Sequence, residues 1–239
     1  MDNRTAKKIL NSVRRDYNTI AAHFSDTRSQ QWPAVRALVQ QYITPGKIVL
    51  DLGCGNGRLA DVVTEIKANY IGIDVSPELI ARAQQLRPDN VFRVGTMMQI
   101  PLPDNSVDHT LLIASLHHIP SLAYRIQTLQ EIKRVTRPGG YIICMNWNLH
   151  QWRFWKLRLR WNARKLFRRH HMDWNDTLVP WKNPAGAILA ERYYHGFTEQ
   201  EIKKLAKKIS LPLVQQYYET HGTHVPRYRG QNLVSILKK

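Results

Sequence analysis

The amino-acid sequence predicts an α/β protein with a parallel sheet and helices on both of its faces. From residue 47 onwards, short apolar runs alternate with helix-forming segments. A glycine-rich turn joins the first run to its helix, and an aspartate ends the second run, at Asp74. This alternation is typical of doubly wound sheets. We expect one domain over residues 1–239, with a helical extension over 1–46 and a basic, tryptophan-rich insertion over 148–195.

The first half of the alternation runs to residue 94. Strands are predicted over residues 47–52, 70–74 and 91–94, and a helix over 58–66. Ser76 and Pro77 are a favoured N-cap and first helical residue, so a second helix begins there.

The second half contains a strand over 106–114, a helix over 121–136 and a strand over 141–147. Residues 148–190 break the pattern with a cationic stretch and then a loop rich in Pro, Asn and Gly. Thr198 and Glu201 form a capping box that begins a late helix. Strands over 213–220 and 232–239 follow it.

Composition limits the partners of the chain. Lys and Arg number 35 against 18 Asp and Glu, a formal net charge of +17. Such an excess predicts attraction to nucleic acid or to an anionic membrane surface. No run approaches the ~20 apolar residues of a membrane span and no signal peptide is evident, so we expect a soluble, cytoplasmic protein. Cys54 and Cys144 lack zinc-ligand spacing, so no metal is predicted.

The glycine loop predicts a nucleotide-like cofactor. Gly53, Gly55 and Gly57 permit a tight turn and close backbone approach, and Asp74 can accept hydrogen bonds from ribose hydroxyls. Asp51, just before the loop, would repel a pyrophosphate but attract a sulfonium or an ammonium. The residues therefore favour S-adenosylmethionine over a nicotinamide dinucleotide or a loop without ligand.

The segments VLDLGCGNGRL, IGIDVS and RPGGYIIC resemble class I S-adenosylmethionine-dependent methyltransferases. The resemblance implies a Rossmann-like, seven-stranded sheet whose last strand is antiparallel. It also implies the cofactor contacts Asp51, Gly53, Cys54, Gly55, Asn56, Gly57, Asp74, Val75, Thr96, Met97 and Ala114. Many members carry Asp where this chain has Thr96, so the Thr96 hydroxyl or a backbone group is expected to replace it at the adenine.

The acceptor should lie beyond the fourth strand, because ligands bind outside the carboxyl ends of parallel strands. Residues 115–118 follow that strand and should face the sulfonium. His117 or His118 is a candidate general base or substrate contact. A structural histidine at a helix start is the alternative.

Short flanking motifs narrow the resemblance. Residues 17–28, then Trp32-Pro33, Val179-Pro180-Trp181 and residues 192–195 are similar to tRNA methyltransferases that esterify the carboxymethyl group of wobble uridine. The resemblance implies tRNA as the partner, and it leaves open a small activating subunit as a second one. Eukaryotic members carry a long hydrophilic insertion between the last two motifs, where this chain has only about ten residues.

The expected chemistry needs a cation rather than a base. A substrate carboxylate has a pKa near ~4 and is ionised at neutral pH. A bidentate arginine suits it best. Arg28 and Arg192 are the candidates, with Tyr17, Trp181 and Tyr194 as aromatic contacts to the base. A surface or core role is the alternative for each.

Residues 150–171, within the basic insertion, are predicted to form an amphipathic helix, because Trp152, Trp155, Leu159 and Leu166 keep helical spacing. Its cations should contact tRNA phosphates, with Arg164, Lys165, Arg168 and Arg169 as candidates. The same helix could lie on an anionic membrane, or its cationic side could simply face solvent. The alternative function is therefore a small-molecule or lipid/quinone methyltransferase at a membrane surface.

Overall fold

A computed structural model describes residues 1–28, 32–166 and 171–239. The helices are α1 (Asn3–Thr27), α2 (Pro33–Tyr42), α3 (Ala60–Glu65), α4 (Pro77–Leu86), α5 (Leu122–Val135), α6 (Trp155–Leu166) and α7 (Glu199–Lys208). The strands are β1 (Ile48–Leu52), β2 (Asn69–Asp74), β3 (Val91–Val94), β4 (His109–Ile113), β5 (Tyr141–Trp147), β6 (Asp176–Lys182), β7 (Ile188–His195), β8 (Leu213–Thr220), β9 (Thr223–His224) and β10 (Asn232–Lys238). Single 3-10 turns occupy Leu116–His118 and Trp152–Phe154.

Eight of the described strands form one sheet in the order β3-β2-β1-β4-β5-β10-β8-β9. Strands β1 to β5 pair in parallel, and β10 is antiparallel to both β5 and β8. The predicted Rossmann-like class is thus confirmed, including its antiparallel last strand. The eighth strand is the two-residue β9, which pairs with the end of β8.

The sheet is buried on both faces, as a parallel sheet requires. Along β1, Leu50 packs on the side of α5 and α7, while Val49 packs on the side of α2, α3 and α4. Successive residues of a strand point to opposite faces, which explains the near-continuous apolar runs in the sequence.

Residues 176–195 form a hairpin that the sequence did not predict. Strands β6 and β7 pair antiparallel as a separate two-stranded sheet. Pro180 and the Pro, Asn and Gly residues of the turn indicated a loop, yet an edge strand tolerates proline. The hairpin is fixed by long-range contacts, since Trp181 packs on Ile20 and Tyr193 on Val13, both from α1.

The N-terminal extension contains the two helices α1 and α2. Asp2 caps α1 by accepting the Thr5 amide N–H over 2.8 Å. The buried side of α1 packs against β7 and α4. The helix therefore lies across the carboxyl edge of the sheet, next to the glycine loop.

Candidate active site

The glycine loop between β1 and α3 folds back on the end of β2. Gly53 has φ +82°, and its amide donates to the Ile73 carbonyl over 2.7 Å. A Cβ atom on Gly53 would lie 2.4 Å from the Cβ of Ser115. Glycine is required here for both backbone conformation and space. The loop backbone forms one wall of a cavity of about 560 Å³.

The cavity is lined by all but one of the residues predicted to hold the cofactor, namely Asp51, Gly53, Cys54, Gly55, Asn56, Asp74, Val75, Thr96, Met97 and Ala114. Gly57 is the one predicted cofactor residue that does not line the cavity. A Cβ on Gly57 would lie 2.6 Å from the Phe92 ring, so this glycine allows close packing of the loop on the sheet rather than approach to a ligand.

Asp51 is the most distinctive charge in the cavity wall. Its side chain is 1% exposed, and its Oδ2 accepts a 2.7 Å hydrogen bond from the Tyr70 hydroxyl. The other oxygen, Oδ1, is buried and has no hydrogen-bond partner among the described residues. Burial raises the pKa of Asp51 to about 7. A buried carboxylate oxygen without a donor fits the ammonium group of S-adenosylmethionine.

Asp74 ends β2 on the same wall. Its two oxygens accept the amide hydrogens of Gly55 and Ser76, each over 2.9 Å, and burial raises its pKa. Each oxygen keeps a second lone pair for a ribose hydroxyl. Thr96 Oγ1 accepts the Met98 amide over 3.3 Å, which leaves its own hydroxyl hydrogen available at the adenine end.

Helix α1 covers the cavity from the opposite side. Tyr17, Phe24 and Arg28 line it, and Phe24 lies 3.3 Å from the position of a Cβ on Gly55. The Ser76 hydroxyl donates to Asn18 Oδ1 over 2.6 Å, which ties α1 to the N-terminus of α4. The extension thus closes the site, a role that local sequence patterns did not indicate.

Both histidines after β4 are buried and line the cavity. His118 Nε2 accepts from the Tyr17 hydroxyl, and its Nδ1 donates to the Tyr193 carbonyl, each over 2.8 Å. His117 Nδ1 accepts the Trp147 amide over 3.3 Å. The proton of neutral His117 therefore lies on Nε2, which is buried with no hydrogen-bond partner among the described residues.

Burial keeps these two histidines neutral. It lowers the pKa of His118 to about 3 and that of His117 well below its usual value. With its acceptor nitrogen already bonded to the Trp147 amide, His117 can donate a hydrogen bond but has no free lone pair for a proton. The geometry favours a neutral donor over the general base considered from the sequence.

Arg192 is the buried cation of the acceptor side, at 5% exposure. Its guanidinium carbon lies 4.5 Å from the Trp181 ring centroid, 5.2 Å from Tyr194 and 5.9 Å from Trp147. Its Nη1 donates to the Tyr17 hydroxyl over 3.5 Å, and its Nε is buried without a hydrogen-bond partner in the described chain. Aromatic faces replace the usual carboxylate around this cation.

Arg28 and Arg58 lie nearby. The guanidinium carbon of Arg28 lies 5.2 Å from the ring centroid of Trp181, which the sequence predicted as a contact to the base. That of Arg58 lies 4.4 Å from the ring centroid of Trp32. Burial, and then the charge of Arg192, lowers the pKa of Arg28. Burial, and then the charge of Arg28, lowers that of Arg58 to about 10. Arg28 therefore repels both Arg192 and Arg58, while Asp51 attracts Arg58, and an anion bound beside Arg28 would relieve the repulsion.

A buried ion network holds the hairpin that carries Arg192. Arg125, 2% exposed, lies 3.5 Å from Asp176 and 3.3 Å from Glu201. His195 bridges the same two carboxylates at 2.6 and 2.7 Å. Arg125 also donates to the Tyr193 hydroxyl over 3.2 Å. Helices α5 and α7 are thereby joined to both hairpin strands.

Trp147 and Arg58 are site residues that the sequence reading missed. Trp147 ends β5 at the carboxyl edge of the sheet, so the rule that located residues 115–118 would also have found it. Arg58 directly follows the glycine loop, but nothing local to it indicates that it faces the cavity.

The basic insertion contains the predicted helix, α6. Its predicted apolar residues Trp152, Trp155, Leu159 and Leu166 are exposed, whereas Trp161 is buried against Val13 and Tyr193. Arg164 is exposed, with its guanidinium 5.0 Å from the Trp161 ring. Lys165 donates to the carbonyls of Trp174 and Asp176, each over 2.6 Å, so it anchors the following loop. Arg168 and Arg169 lie outside the described residues.

In the described part of the chain, no helix combines the length and apolar character needed to cross a bilayer.

A methyltransferase-domain family model matches residues 50–144. The chain is 29% identical over 225 residues to the tRNA (carboxymethyluridine(34)-5-O)-methyltransferase of Schizosaccharomyces pombe, covering 87% of this chain and 91% of that protein. It is 30% identical to the Saccharomyces cerevisiae protein of the same name, over 76% of this chain and 60% of that one.

Among solved structures, one similar chain belongs to a complex between the Haloferax volcanii Trm112 methyltransferase activator and a putative methyltransferase. The two chains share 20% identity with a TM-score of 0.66, covering 95% of this chain and 97% of that one. The fold, the matched domain and the relatives together identify this chain as a class I S-adenosylmethionine-dependent methyltransferase, similar to the tRNA carboxymethyluridine methyltransferases.

Proposed function

We propose that the chain methylates the carboxylate of 5-carboxymethyluridine at the wobble position of tRNA, forming the methyl ester. The observation that carries this proposal is the arginine pair at the acceptor end of the cavity. Arg28 and Arg192 both lie over Trp181, and neither has an ion-pair partner among the described residues. Two cations left without an acid beside a methyl-transfer site support an anionic acceptor.

S-adenosylmethionine, when bound, supplies an electrophilic methyl group on a sulfonium. Asp51, Asp74 and the loop from Gly53 to Asn56 would hold it at the carboxyl edge of the sheet. Arg28 and Arg192 would hold the substrate carboxylate on the other side of the cavity. Such positioning supplies roughly 7–11 kcal/mol of an activation barrier in favourable cases.

No residue has to remove a proton, because a carboxylate with a pKa near ~4 is already ionised. The neutral histidines agree with that. His117 would donate its Nε2 hydrogen to an oxygen of the acceptor. His118 would orient Tyr17, whose hydroxyl oxygen accepts from Arg192. Helix α1 would exclude water from the reacting groups.

tRNA as the acceptor is supported by the relatives and by the net charge of +17. Helix α6 presents Arg160 and Arg164 on an exposed surface, where they would contact phosphates. Lys165 would instead support the loop that leads into the hairpin. Tyr194, which lines the cavity, would contact the base there, whereas Trp181 does not line it and would support the guanidinium groups of Arg28 and Arg192.

A small activating subunit remains part of the proposal. The similar Haloferax volcanii chain is found in a complex with such an activator. Strand β3 is one of the two edges of the large sheet as the structure describes it, with Val91 and Val94 half exposed. An exposed edge strand with apolar residues suits pairing with a partner strand. Assays should therefore be run with and without an activator of this kind.

The direct test is methyl transfer to tRNA that carries carboxymethyluridine, followed by mass spectrometry of the wobble nucleoside. We expect a methyl ester that mild base returns to the acid. Matched tRNA with unmodified uridine at that position serves as the control. Methylation of the control, or of lipids and quinones but no tRNA, would refute the proposal. Liposome co-sedimentation against a tRNA gel shift distinguishes the membrane alternative.

A further inference from the structure

Two smaller cavities flank the acceptor end of the large one. The first, of about 460 Å³, lies against the β6–β7 hairpin and is lined by Phe154, Trp181 and Lys182. The second, of about 520 Å³, lies at the ends of β8 and β10 and is lined by His221 and Gln231. We call them the hairpin cavity and the terminal-strand cavity.

All three cavities meet at the same residues. Arg28 and Trp147 line the large cavity and both smaller ones, and Arg153 lines both smaller ones. A free small molecule needs only one entrance to the reacting position. A polynucleotide whose middle nucleotide is inserted must leave the site in two directions, and the two smaller cavities provide two exits on either side of Arg28.

The smaller cavities have the chemistry of single-stranded nucleic-acid sites. Each carries an aromatic ring with an arginine over it: Arg153 over Phe154 at 4.8 Å and Arg58 over Trp32 at 4.4 Å. Aromatic platforms combined with cations that follow the backbone are the usual way to bind single strands. Both volumes also fall within the range of roughly 300–1,000 Å³ typical of small-ligand sites.

The two cavities differ in their polar groups. No acidic residue lines the hairpin cavity, whose polar side chains are mostly cationic. The terminal-strand cavity contains the Gln231 amide and the His221 ring, which can hydrogen-bond the edge of a base. Its one acid, Glu219, already accepts from the Gly222 amide over 2.9 Å and from Asn232.

We infer that the hairpin cavity and the terminal-strand cavity bind the two nucleotides that flank the methylated one. The hairpin cavity stacks its nucleotide with little regard to sequence, and the terminal-strand cavity reads the base edge of the other. This inference rests on the proposed function, because it takes the nucleotide in the large cavity to be the carboxymethyluridine.

The test compares short oligonucleotides on protein loaded with S-adenosylhomocysteine. The series is carboxymethyluridine monophosphate, the two dinucleotides that extend it on one side only, and the trinucleotide. Calorimetry gives the Kd of each. We expect each dinucleotide to bind at least threefold more tightly than the mononucleotide, and the trinucleotide at least tenfold more tightly.

Single variants assign the flanks. Lys182→Ala in the hairpin cavity should remove the gain from one dinucleotide, and Gln231→Ala the gain from the other, with mononucleotide binding unchanged. Lys203→Ala, an exposed lysine of α7 away from all three cavities, removes the same charge and should change neither. Only Gln231→Ala should reduce the preference among the four bases at its flank.

The outcomes separate the two claims. If tRNA carrying carboxymethyluridine is not methylated, the proposed function fails and the inference fails with it. If that tRNA is methylated but extension of the mononucleotide on either side does not tighten binding, the flanking sites are refuted while the function stands. Equal effects of Lys182→Ala and Lys203→Ala would reduce the hairpin cavity to general charge attraction, and that too would overturn the assignment.

Discussion

Replacing Arg192 with methionine should reduce activity far more than stability, so this variant tests the role of Arg192 in the reaction. The guanidinium is 5% exposed and packs against three aromatic rings, with no carboxylate paired to it among the described residues. Removing a buried cation from its carboxylate partner usually costs several kcal/mol, but here no such partner would be left behind. Loss of the ring contacts costs about 0.5–2 kcal/mol each, against relief of the desolvation of the charge.

We therefore expect the free energy of unfolding of Arg192→Met to fall by no more than about 1 kcal/mol, or to rise. A loss of that size would lower the Tm by about 2–4 °C for a chain of this size. Activity should fall much further. A cation about 4 Å from a carboxylate contributes about 4 kcal/mol at an effective dielectric constant of 20. At 1.4 kcal/mol per tenfold, kcat/KM should drop by about a thousandfold.

Arg192→Lys keeps the charge but loses the planar, bidentate donor, so we expect an intermediate loss of about 10–100-fold. The assay is single-turnover methylation of carboxymethyluridine tRNA, together with calorimetric cofactor affinity and thermal unfolding. Arg4→Met, on the exposed side of α1, is the matched control. A methionine variant that keeps more than a tenth of the activity, or that loses cofactor affinity and Tm in parallel, would falsify the assignment of Arg192 to the acceptor.

Three further predictions follow from the same geometry. Because burial raises the pKa of Asp51 to about 7, protonation below that pH removes the charge that attracts the ammonium. The affinity for S-adenosylmethionine, measured by calorimetry, should weaken by up to about tenfold per pH unit between pH 7 and 5. Asp51→Asn should bind the cofactor weakly at every pH. A parent protein whose affinity does not change with pH would contradict this prediction. At saturating cofactor, kcat should stay level between about pH 6 and 9. The reason is that burial lowers the pKa of His118 to about 3 and that of His117 well below its usual value. A kcat that rises with pH near 6.5 would instead indicate a histidine base. Replacing Arg160 and Arg164 with alanine should reduce the salt slope of log K for tRNA by about 1.4–1.8; an unchanged slope in gel shifts removes α6 from the RNA surface.

The cofactor half of the molecule could be predicted from local sequence because its signals are local. Asp51, the glycines and Asp74 lie within one strand-loop-helix-strand segment, and each residue type has a physical reason there. The parallel pairing of β1 to β5 also follows from the alternation of strands and helices. Only Gly57 was placed differently, against Phe92 instead of the cavity.

The acceptor half depended on contacts between distant segments. Arg192 was proposed from a short motif, but only the structure shows that it is buried beneath Trp181 and bonded to Tyr17, 175 positions away in the chain. The hairpin that carries Arg192 was not predicted, because Pro180 and the turn residues indicated a loop. Local propensity does not reveal strand pairing that is stabilised by α1 and by the ion network around Arg125.

The sequence by itself determined the fold class, the cofactor loop and the identity of the charges available to the acceptor. Those features follow from periodicity, backbone freedom at glycine and residue chemistry, all of which are readable over a few positions. Only the tertiary structure decided the protonation of His117 and His118, the convergence of Arg28, Arg58 and Arg192, and the closure of the site by α1. Burial, desolvation and mutual repulsion arise between segments far apart in the chain, so they exist only once it has folded.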